Sequence, residues 1–219
     1  QNENGQDITI TKTFVATKDR DEIDMTAAIS VDHSFFGQNL VCFEYLTDEA
    51  YPGEEFNHAD ISFSSQTLYF AKIRTEAKDD VTMEHIAKPA VDSTIIDTID
   101  YEGFAPNLRY DVVAKLVDFN TGEPIIQDGK EYVVKDSFIP ASEDGSVDIT
   151  LEHINSEALK GKTVTVLEYI YYNDKLVAKH DELVETQSIH YPNGSTTAKD
   201  MVTGANDFMP SEKQTFIDT

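Results

Sequence analysis

The chain has 219 residues, of which 40% are hydrophobic, and its 17 basic and 41 acidic residues give a formal net charge of −24. This length is enough for one or two packed domains, and the apolar fraction argues against wholesale disorder. A charge this negative repels nucleic-acid phosphates, so no nucleic-acid partner is expected. No apolar run approaches the length of a membrane span, so membrane insertion is not expected.

The N-terminal region offers few signals of its own. The opening QNENGQDITI lacks the pattern of a secretory leader, and we expect the chain to be part of a longer protein. A single cysteine, Cys42, excludes an intrachain disulfide. It lies in the apolar run LVCF, which predicts a small core residue rather than a nucleophile.

The following residues read mostly as short strands rich in β-branched and aromatic side chains. The predicted strands cover residues 94–101, 109–119, 130–135, 146–151, 163–172 and 175–179. Asp128-Gly129 and Asn173-Asp174 are predicted turns, and residues 155–161 are predicted to form one helical turn that Gly161 ends. Short strands at regular spacing predict an all-β fold of antiparallel, immunoglobulin-like β-sandwiches in tandem.

An internal repeat organises these strands. Residues 5–14 match residues 129–138, and 43–46 match 167–170, both 124 positions further on. Residues 97–98 match 218–219, 121 positions further on. A period of about 120 residues is the size of one sandwich domain.

The repeat divides the chain into three predicted parts. Residues 1–70 are the C-terminal part of a first repeat, 71–190 are a complete repeat, and 191–219 are the first strands of a third. Strand is expected to run directly into strand at LYFAKIRTEA and at SIHYPNGSTTA. Linkers this short predict a stiff rod.

Several motifs carry a family resemblance. The strings VCFEYL…HADISFSSQT and VLEYIYYNDKLVAKH…Q, together with the T-x-A opening at Thr75, follow one another in a set order. In this order they resemble the VaFE repeat, the T-Q ester-bond domain of Gram-positive surface adhesins. The resemblance implies a spontaneous intramolecular ester between a Thr on the first strand and a Gln on the last.

Carried over position by position, the resemblance fills every site position in residues 71–190. Thr75 is the implied nucleophile and Gln187 the acyl donor. His180 would take the Thr proton and later help ammonia leave, and Asp97 would orient or charge-stabilise His180. A protonated Glu168 would donate to the Gln carbonyl oxygen. Burial near other carboxylates would raise the pKa of that carboxyl group.

The middle repeat departs from the pattern in three places. Leu167 replaces the aromatic residue that precedes Glu in the VaFE motif. His180 and Gln187 are seven positions apart, whereas His58 and Gln66 show the eight-position spacing of the family. Glu76 follows Thr75, and strand alternation predicts that it points outward.

The two outer parts hold fragments of the same site. Glu44, His58 and Gln66 lack an upstream Thr and Asp, whereas Thr196 and Asp218 lack a downstream Glu, His and Gln. The equivalent of residues 99–124 is absent from both fragments, so completion between two chains would be imperfect.

Three functions remain open on the sequence. The first is a cell-wall-anchored extracellular stalk of self-cross-linked repeats, whose partners are neighbouring repeats and, through a tip domain outside this chain, a host-surface ligand. The second is an adhesive sandwich that binds a ligand on one face without a cross-link. The third is a turnover enzyme, which the repeats and the lack of a Gly-rich oxyanion loop disfavour. No cofactor or metal is expected, because no metal-ligand spacing or phosphate loop is present.

Overall fold

The computed structural model describes residues 8–20, 22–29, 35–201, 203 and 215–218, with the backbone alone for 216–218. The chain divides into two compact units, Gln1–Phe35 and Phe36–Thr219. In the described residues of the first unit no strand forms, and only Phe35, at its end, has 3₁₀ geometry. The Lys12 ammonium donates a hydrogen bond of 2.7 Å to the Asp24 carbonyl oxygen there.

The second unit is built from short strands that three single 3₁₀ turns interrupt. The strands are β1 Gln38–Val41, β2 Glu44–Thr47, β3 Glu55–His58, β4 Thr67–Phe70, β5 Lys72–Asp79, β6 Ser93–Glu102, β7 Tyr110–Asp118, β8 Ile126–Gln127, β9 Lys130–Glu131, β10 Val133–Phe138, β11 Gly145–Ile154, β12 Lys162–Tyr172, β13 Lys175–His180, β14 Ser188–Tyr191, β15 Ala198–Asp200 and β16 Phe216–Asp218. The 3₁₀ turns are Ser64–Gln66, Ser156–Leu159 and Glu185–Gln187.

Two antiparallel sheets face each other between residues 71 and 191. One has the order β10-β7-β12-β13, with β14 also paired to β12, and the other has the order β11-β6-β5. Buried side chains alternate along the strands, as in β6, so each sheet turns one apolar face inward. Residues from both sheets form one core, which includes Ile95, Ile99, Leu116, Val166 and Ile170. The predicted all-β antiparallel sandwich is therefore confirmed.

The predicted turns form where backbone geometry demands special residues. Asp128 and Gly129 have φ of +51° and +75°, and Asn173 and Asp174 have φ of +49° and +61°. Two consecutive positive φ values are typical of the tight hairpin turn that matches strand twist. The single helical turn also forms, as Ser156–Leu159, and Gly161 follows it at φ +78°.

Three local expectations are wrong. Cys42 is exposed, because in the described part of the first repeat β1 and β2 pair only with β4 and β3 and no second sheet covers them. One residue, Ala71, separates β4 from β5, but six residues without regular structure, 192–197, separate β14 from β15. Gln187 lies at the end of a 3₁₀ turn directly before the last strand and not on it.

The outer parts repeat the strand pairings of the middle. Glu44 pairs with His58 as Glu168 pairs with His180, and the β1–β4 register matches the β12–β14 register. In β15–β16, Ala198 pairs with Asp218 as Ala77 pairs with Asp97. The backbone thus reproduces the offsets of 121 to 124 positions that relate the sequence repeats.

Candidate functional site

A gap along one edge of β12 creates the site. The C-terminal half of β12 pairs with β13, which ends at His180, and its N-terminal half pairs with β14, which begins at Ser188. Between these two strands the chain leaves the edge as the loop 181–187. The loop ends with Gln187, whose side chain is fully buried.

Glu168 and His180 share a face of the same sheet because they are direct register partners on β12 and β13. Their side chains lie 3.5 Å apart, from His180 Nδ1 to Glu168 Oε2. Glu168 is fully buried, while 21% of the His180 side chain is exposed. The imidazole therefore forms the rim of the site and the carboxyl group its floor.

Thr75 and Asp97 come from the facing sheet. They lie on the paired strands β5 and β6, where Thr75 is opposite Ile99 and Asp97 is opposite Ala77. Alternation along β5 turns Thr75 inward, with 7% exposure, and leaves Glu76 exposed, as predicted. On the outside Glu76 pairs with Lys78 at 3.0 Å.

The Thr75 hydroxyl lies at the centre of the contacts. Its Oγ1 is 2.9 Å from His180 Nδ1 and 3.2 Å from Glu168 Oε2, and the Gln187 amide nitrogen donates to the same oxygen. The hydroxyl carries one hydrogen, so it can donate to His180 only when it does not donate to Glu168. A protonated Glu168 no longer needs the Thr hydrogen, which is then directed at His180.

Burial sets the charge state of the two carboxyl groups. Desolvation raises the pKa of Glu168 to about 8, against the smaller, opposing effect of the neighbouring Asp97 and Thr75 side chains. Desolvation also raises the pKa of Asp97 well above its usual range, and repulsion from Glu168 adds to the shift. The two groups are buried against each other, so burial shifts the pKa of both towards the protonated form.

Four buried oxygens in this cluster have no hydrogen-bond partner within the described residues. They are both carboxyl oxygens of Asp97, Oε1 of Glu168 and Oε1 of Gln187. Unpartnered buried acceptors are rare in folded proteins and carry a cost in stability. Protons on the two carboxyl groups would turn acceptors into donors facing the Gln187 amide.

The structure brings together all five residues that the sequence predicts for the middle repeat, with one change in their arrangement. The carboxyl group in contact with the His180 imidazole is Glu168, and no hydrogen bond joins Asp97 to His180 in the described structure. The reason is topological, because Glu168 is the cross-strand neighbour of His180 while Asp97 lies on the facing sheet. Asp97 therefore does not hydrogen-bond to His180 in the described structure, and its expected action on the imidazole through charge stays a prediction.

The first repeat holds a half-built version of the site. The Gln66 amide donates to Glu44 Oε2, and His58 Nδ1 lies 3.8 Å from the same oxygen. Here the side chains of His58 and Glu44 are 45% and 54% exposed. In the third part Thr196 is exposed, and the side chain of Asp218 lies outside the described residues.

Two residues that the sequence analysis missed hold the Gln187 turn from the inside. Ser188 and Thr165 are fully buried, with their hydroxyl oxygens 2.9 Å apart, and Ser188 Oγ donates to the Val184 carbonyl oxygen at 2.8 Å. The strand register could have indicated this contact, because Thr165 and Ser188 are opposite each other on β12 and β14.

Among the described residues no group of three or more His, Cys, Asp or Glu side chains is placed to hold a metal ion. In the same part of the chain no helix has the length and hydrophobicity to cross a membrane.

Comparison with known proteins identifies relatives at the level of family and of structure. The family model for the T-Q ester bond containing domain matches residues 1–70 and 71–190. A bacterial adhesin from Mobiluncus mulieris that contains intramolecular disulfide, isopeptide and ester bond cross-links is 13% identical, with a TM-score of 0.46 over 68% of this chain and 76% of that one. A putative β-galactosidase from Bacteroides fragilis is 8% identical, with a TM-score of 0.38 over 68% of this chain and 20% of that one. No curated protein matches the chain.

Proposed function

Because the chain belongs to the family of T-Q ester bond containing domains, we propose that residues 71–190 form one intramolecular ester between Thr75 and Gln187. The observation that carries this proposal is the buried contact of the Thr75 hydroxyl with the Gln187 amide, with His180 Nδ1 at 2.9 Å from the same hydroxyl. A nucleophile, a base and an acyl group in one dry cluster are the parts that acyl transfer needs.

The reaction is a single acyl transfer within the chain. Thr75 Oγ1 attacks the side-chain carbonyl carbon of Gln187 as His180 Nδ1 accepts the hydroxyl proton. The tetrahedral intermediate then breaks its C–N bond, and the nitrogen takes the proton back from His180 and leaves as ammonia. The product is an ester between Thr75 Oγ1 and the Gln187 acyl group.

The two carboxyl groups stabilise the charge that develops on Gln187 Oε1. This oxygen has no hydrogen-bond partner within the described residues before reaction, and burial raises the pKa of both Asp97 and Glu168, which favours their protonated forms. A preorganised donor aimed at a developing oxyanion is the largest catalytic contribution in many acyl transfers. In this cluster the neutral acids take the place of the backbone N–H groups of an oxyanion hole.

The cross-link joins the two sheets of the sandwich close to the points where the chain enters and leaves the repeat. Thr75 lies three residues after the start of β5 and Gln187 directly precedes β14, the last strand of the repeat. Tension applied to the repeat would pass through the ester and not through the hydrogen bonds of the core. We therefore assign the protein a structural role as a stalk of a cell-surface adhesin, extracellular and anchored to the cell wall.

The junction with the preceding repeat supports a stalk. Only Ala71 separates β4 from β5, and the Phe70 carbonyl oxygen accepts a hydrogen bond of 2.7 Å from Gly37 N. A Cβ on Gly103 would lie 2.8 Å from this oxygen, so the two repeats pack too closely at this point to admit a side chain there. Such a junction transmits load between neighbouring repeats, its expected partners, while the host ligand would be bound by a tip outside this chain.

The intact mass of the purified chain tests the cross-link. One ester lowers the mass by about 17 Da, because one ammonia leaves. Thr75→Val and Gln187→Ala should each restore the full sequence mass, whereas Gln66→Ala should retain the loss. An unshifted mass for the unaltered chain would refute the proposal and favour an adhesive module that binds its ligand without a cross-link.

A further inference from the structure

A relay of three hydrogen-bonded side chains, Thr163, His190 and Glu185, lies beside the proposed cross-link. Thr163 Oγ1 is 2.9 Å from His190 Nδ1, and His190 Nε2 is 3.0 Å from Glu185 Oε2. The three residues come from β12, β14 and the 3₁₀ turn that carries Gln187. The proposed cross-link uses none of them.

The protonation pattern of this relay follows from its end members. A carboxylate only accepts hydrogen bonds, so His190 Nε2 donates to Glu185. In the neutral imidazole Nδ1 then has no hydrogen and accepts from the Thr163 hydroxyl. The relay is therefore complete with every donor facing an acceptor.

The backbone of His190, the central residue of this relay, is held in place by hydrogen bonds. Its N–H donates to the His85 carbonyl oxygen at 2.8 Å, and its own carbonyl oxygen accepts from Ala87 N at 3.0 Å. Its strand also pairs with β12, where His190 is opposite Thr163. The imidazole thus reaches the turn from a backbone that is held on both sides.

The 3₁₀ turn is held from two directions. On the buried side Ser188 Oγ donates to the Val184 carbonyl oxygen and contacts Thr165. On the solvent side His190 makes the one side-chain hydrogen bond to the turn, to Glu185, within the described residues. Glu185 and Gln187 belong to the same three-residue turn, so fixing one restricts the other.

We propose that the Thr163–His190–Glu185 relay positions the turn that presents Gln187 to Thr75, which makes His190 and Glu185 positioning residues for the cross-link. This inference rests on the proposed ester, and it adds residues that touch neither reacting atom.

The first repeat supports this inference by contrast. At the equivalent positions it has Asn39, Ser64 and Tyr69, which cannot form the relay. Asn39 instead donates to Glu143 Oε2 at 2.6 Å. The relay is present in the repeat whose His-to-Gln spacing is seven positions and absent where the spacing is eight. We infer that the relay sets the direction of the shorter loop.

The test measures how fast newly made chain loses ammonia. The full chain is synthesised in a cell-free system, translation is stopped, and samples are quenched in denaturant at successive times for intact mass. His190→Ala and Glu185→Ala should each slow the loss on the order of tenfold, since a displacement of about 1 Å costs up to a hundredfold in rate. Glu185→Gln should react close to the unaltered rate, because its side-chain oxygen still accepts from His190.

Controls separate positioning from general stability. Asp92→Ala removes an exposed carboxylate that pairs with His153 at 3.2 Å, and should leave the rate unchanged. In a Thr75→Val background, Glu185→Ala should unfold at the same denaturant concentration as its parent, since 69% of the Glu185 side chain is exposed.

The outcomes distinguish this inference from the proposed function. If the unaltered chain loses no ammonia, the ester itself is refuted. If it does lose ammonia but His190→Ala and Glu185→Ala react at its rate, only the positioning role falls. If Glu185→Gln loses ammonia as slowly as Glu185→Ala, the positioning role of the relay is also refuted. The hydrogen bond from His190 would then not be the cause of the faster reaction.

Discussion

The proposed ester has a mechanical consequence that can be measured as a length. Thr75 and Gln187 are 112 positions apart, so 111 residues lie between them and outside the path of force once the ester forms. Released as extended chain at about 3.4 Å per residue, these residues would add about 370 Å of contour length. We expect Thr75→Val, which keeps a β-branched strand residue but removes the nucleophile, to release this additional length.

The assay is single-molecule extension of the whole chain held by its two ends. The Thr75→Val chain should extend about 370 Å further than the unaltered chain before it becomes taut. Ser156→Ala is the matched control, because it also removes a buried hydroxyl, one that contacts Ser93 at 2.6 Å and has no part in the cross-link. Equal extension of the unaltered and Thr75→Val chains would refute the reasoning, as would a gain of the same length in Ser156→Ala.

Further predictions concern pH, catalysis and the junction between repeats. In the Thr75→Val background the free energy of unfolding should fall by up to about 1.4 kcal/mol for each unit by which the pH rises between about 5 and 8. The sign follows because the pKa of Glu168 is about 8 in the folded state and 4.5 ordinarily, so the folded state holds the extra proton in this window. Denaturant titrations at a series of pH values should show that the free energy of unfolding of Glu168→Gln depends less steeply on pH. An equal dependence on pH would contradict the raised pKa of Glu168. His180→Ala should slow ammonia loss by about 10² to 10⁴, as time-resolved intact mass would show, and an unchanged rate would exclude His180 as the base. Gly103→Val should cost about 1–3 kcal/mol, seen as a lower melting temperature with the cross-link intact, because Gly103 has a φ of +67° and a Cβ there would lie 2.8 Å from the Phe70 carbonyl oxygen. An unchanged melting temperature would show that the junction has room for a side chain.

Local features of the fold could be predicted from the sequence because local physics decides them. The hairpin at Asn173-Asp174 needs two positive φ values, and residues that tolerate them stand there. Alternating burial in β6 follows from the two-residue period of a strand. The break between β14 and β15 was mispredicted because an extended segment with no partner looks the same in sequence as a paired strand.

The composition of the site was predictable from the repeat, whereas its internal contacts were not. Glu168, His180 and Gln187 recur in order in the first repeat, which marked them without knowledge of the sheets. Which carboxyl group contacts His180 depends on strand register, and Glu168 is its direct partner. The contact between Asp97 and Glu168 crosses from one sheet to the other, and no sequence period encodes the packing of two sheets.

The division of the site between two sheets links reactivity to folding. Thr75 and Asp97 belong to one sheet, and Glu168 and His180 to the other, so the proposed nucleophile meets its proposed base only when the sheets have packed. The raised pKa values of both carboxyl groups have the same origin, because desolvation is their largest cause and requires the closed core. An unfolded chain would have ionised carboxylates and a Thr hydroxyl with no base beside it. The proposed ester would therefore form only in a correctly folded repeat, and it would then hold that fold under tension.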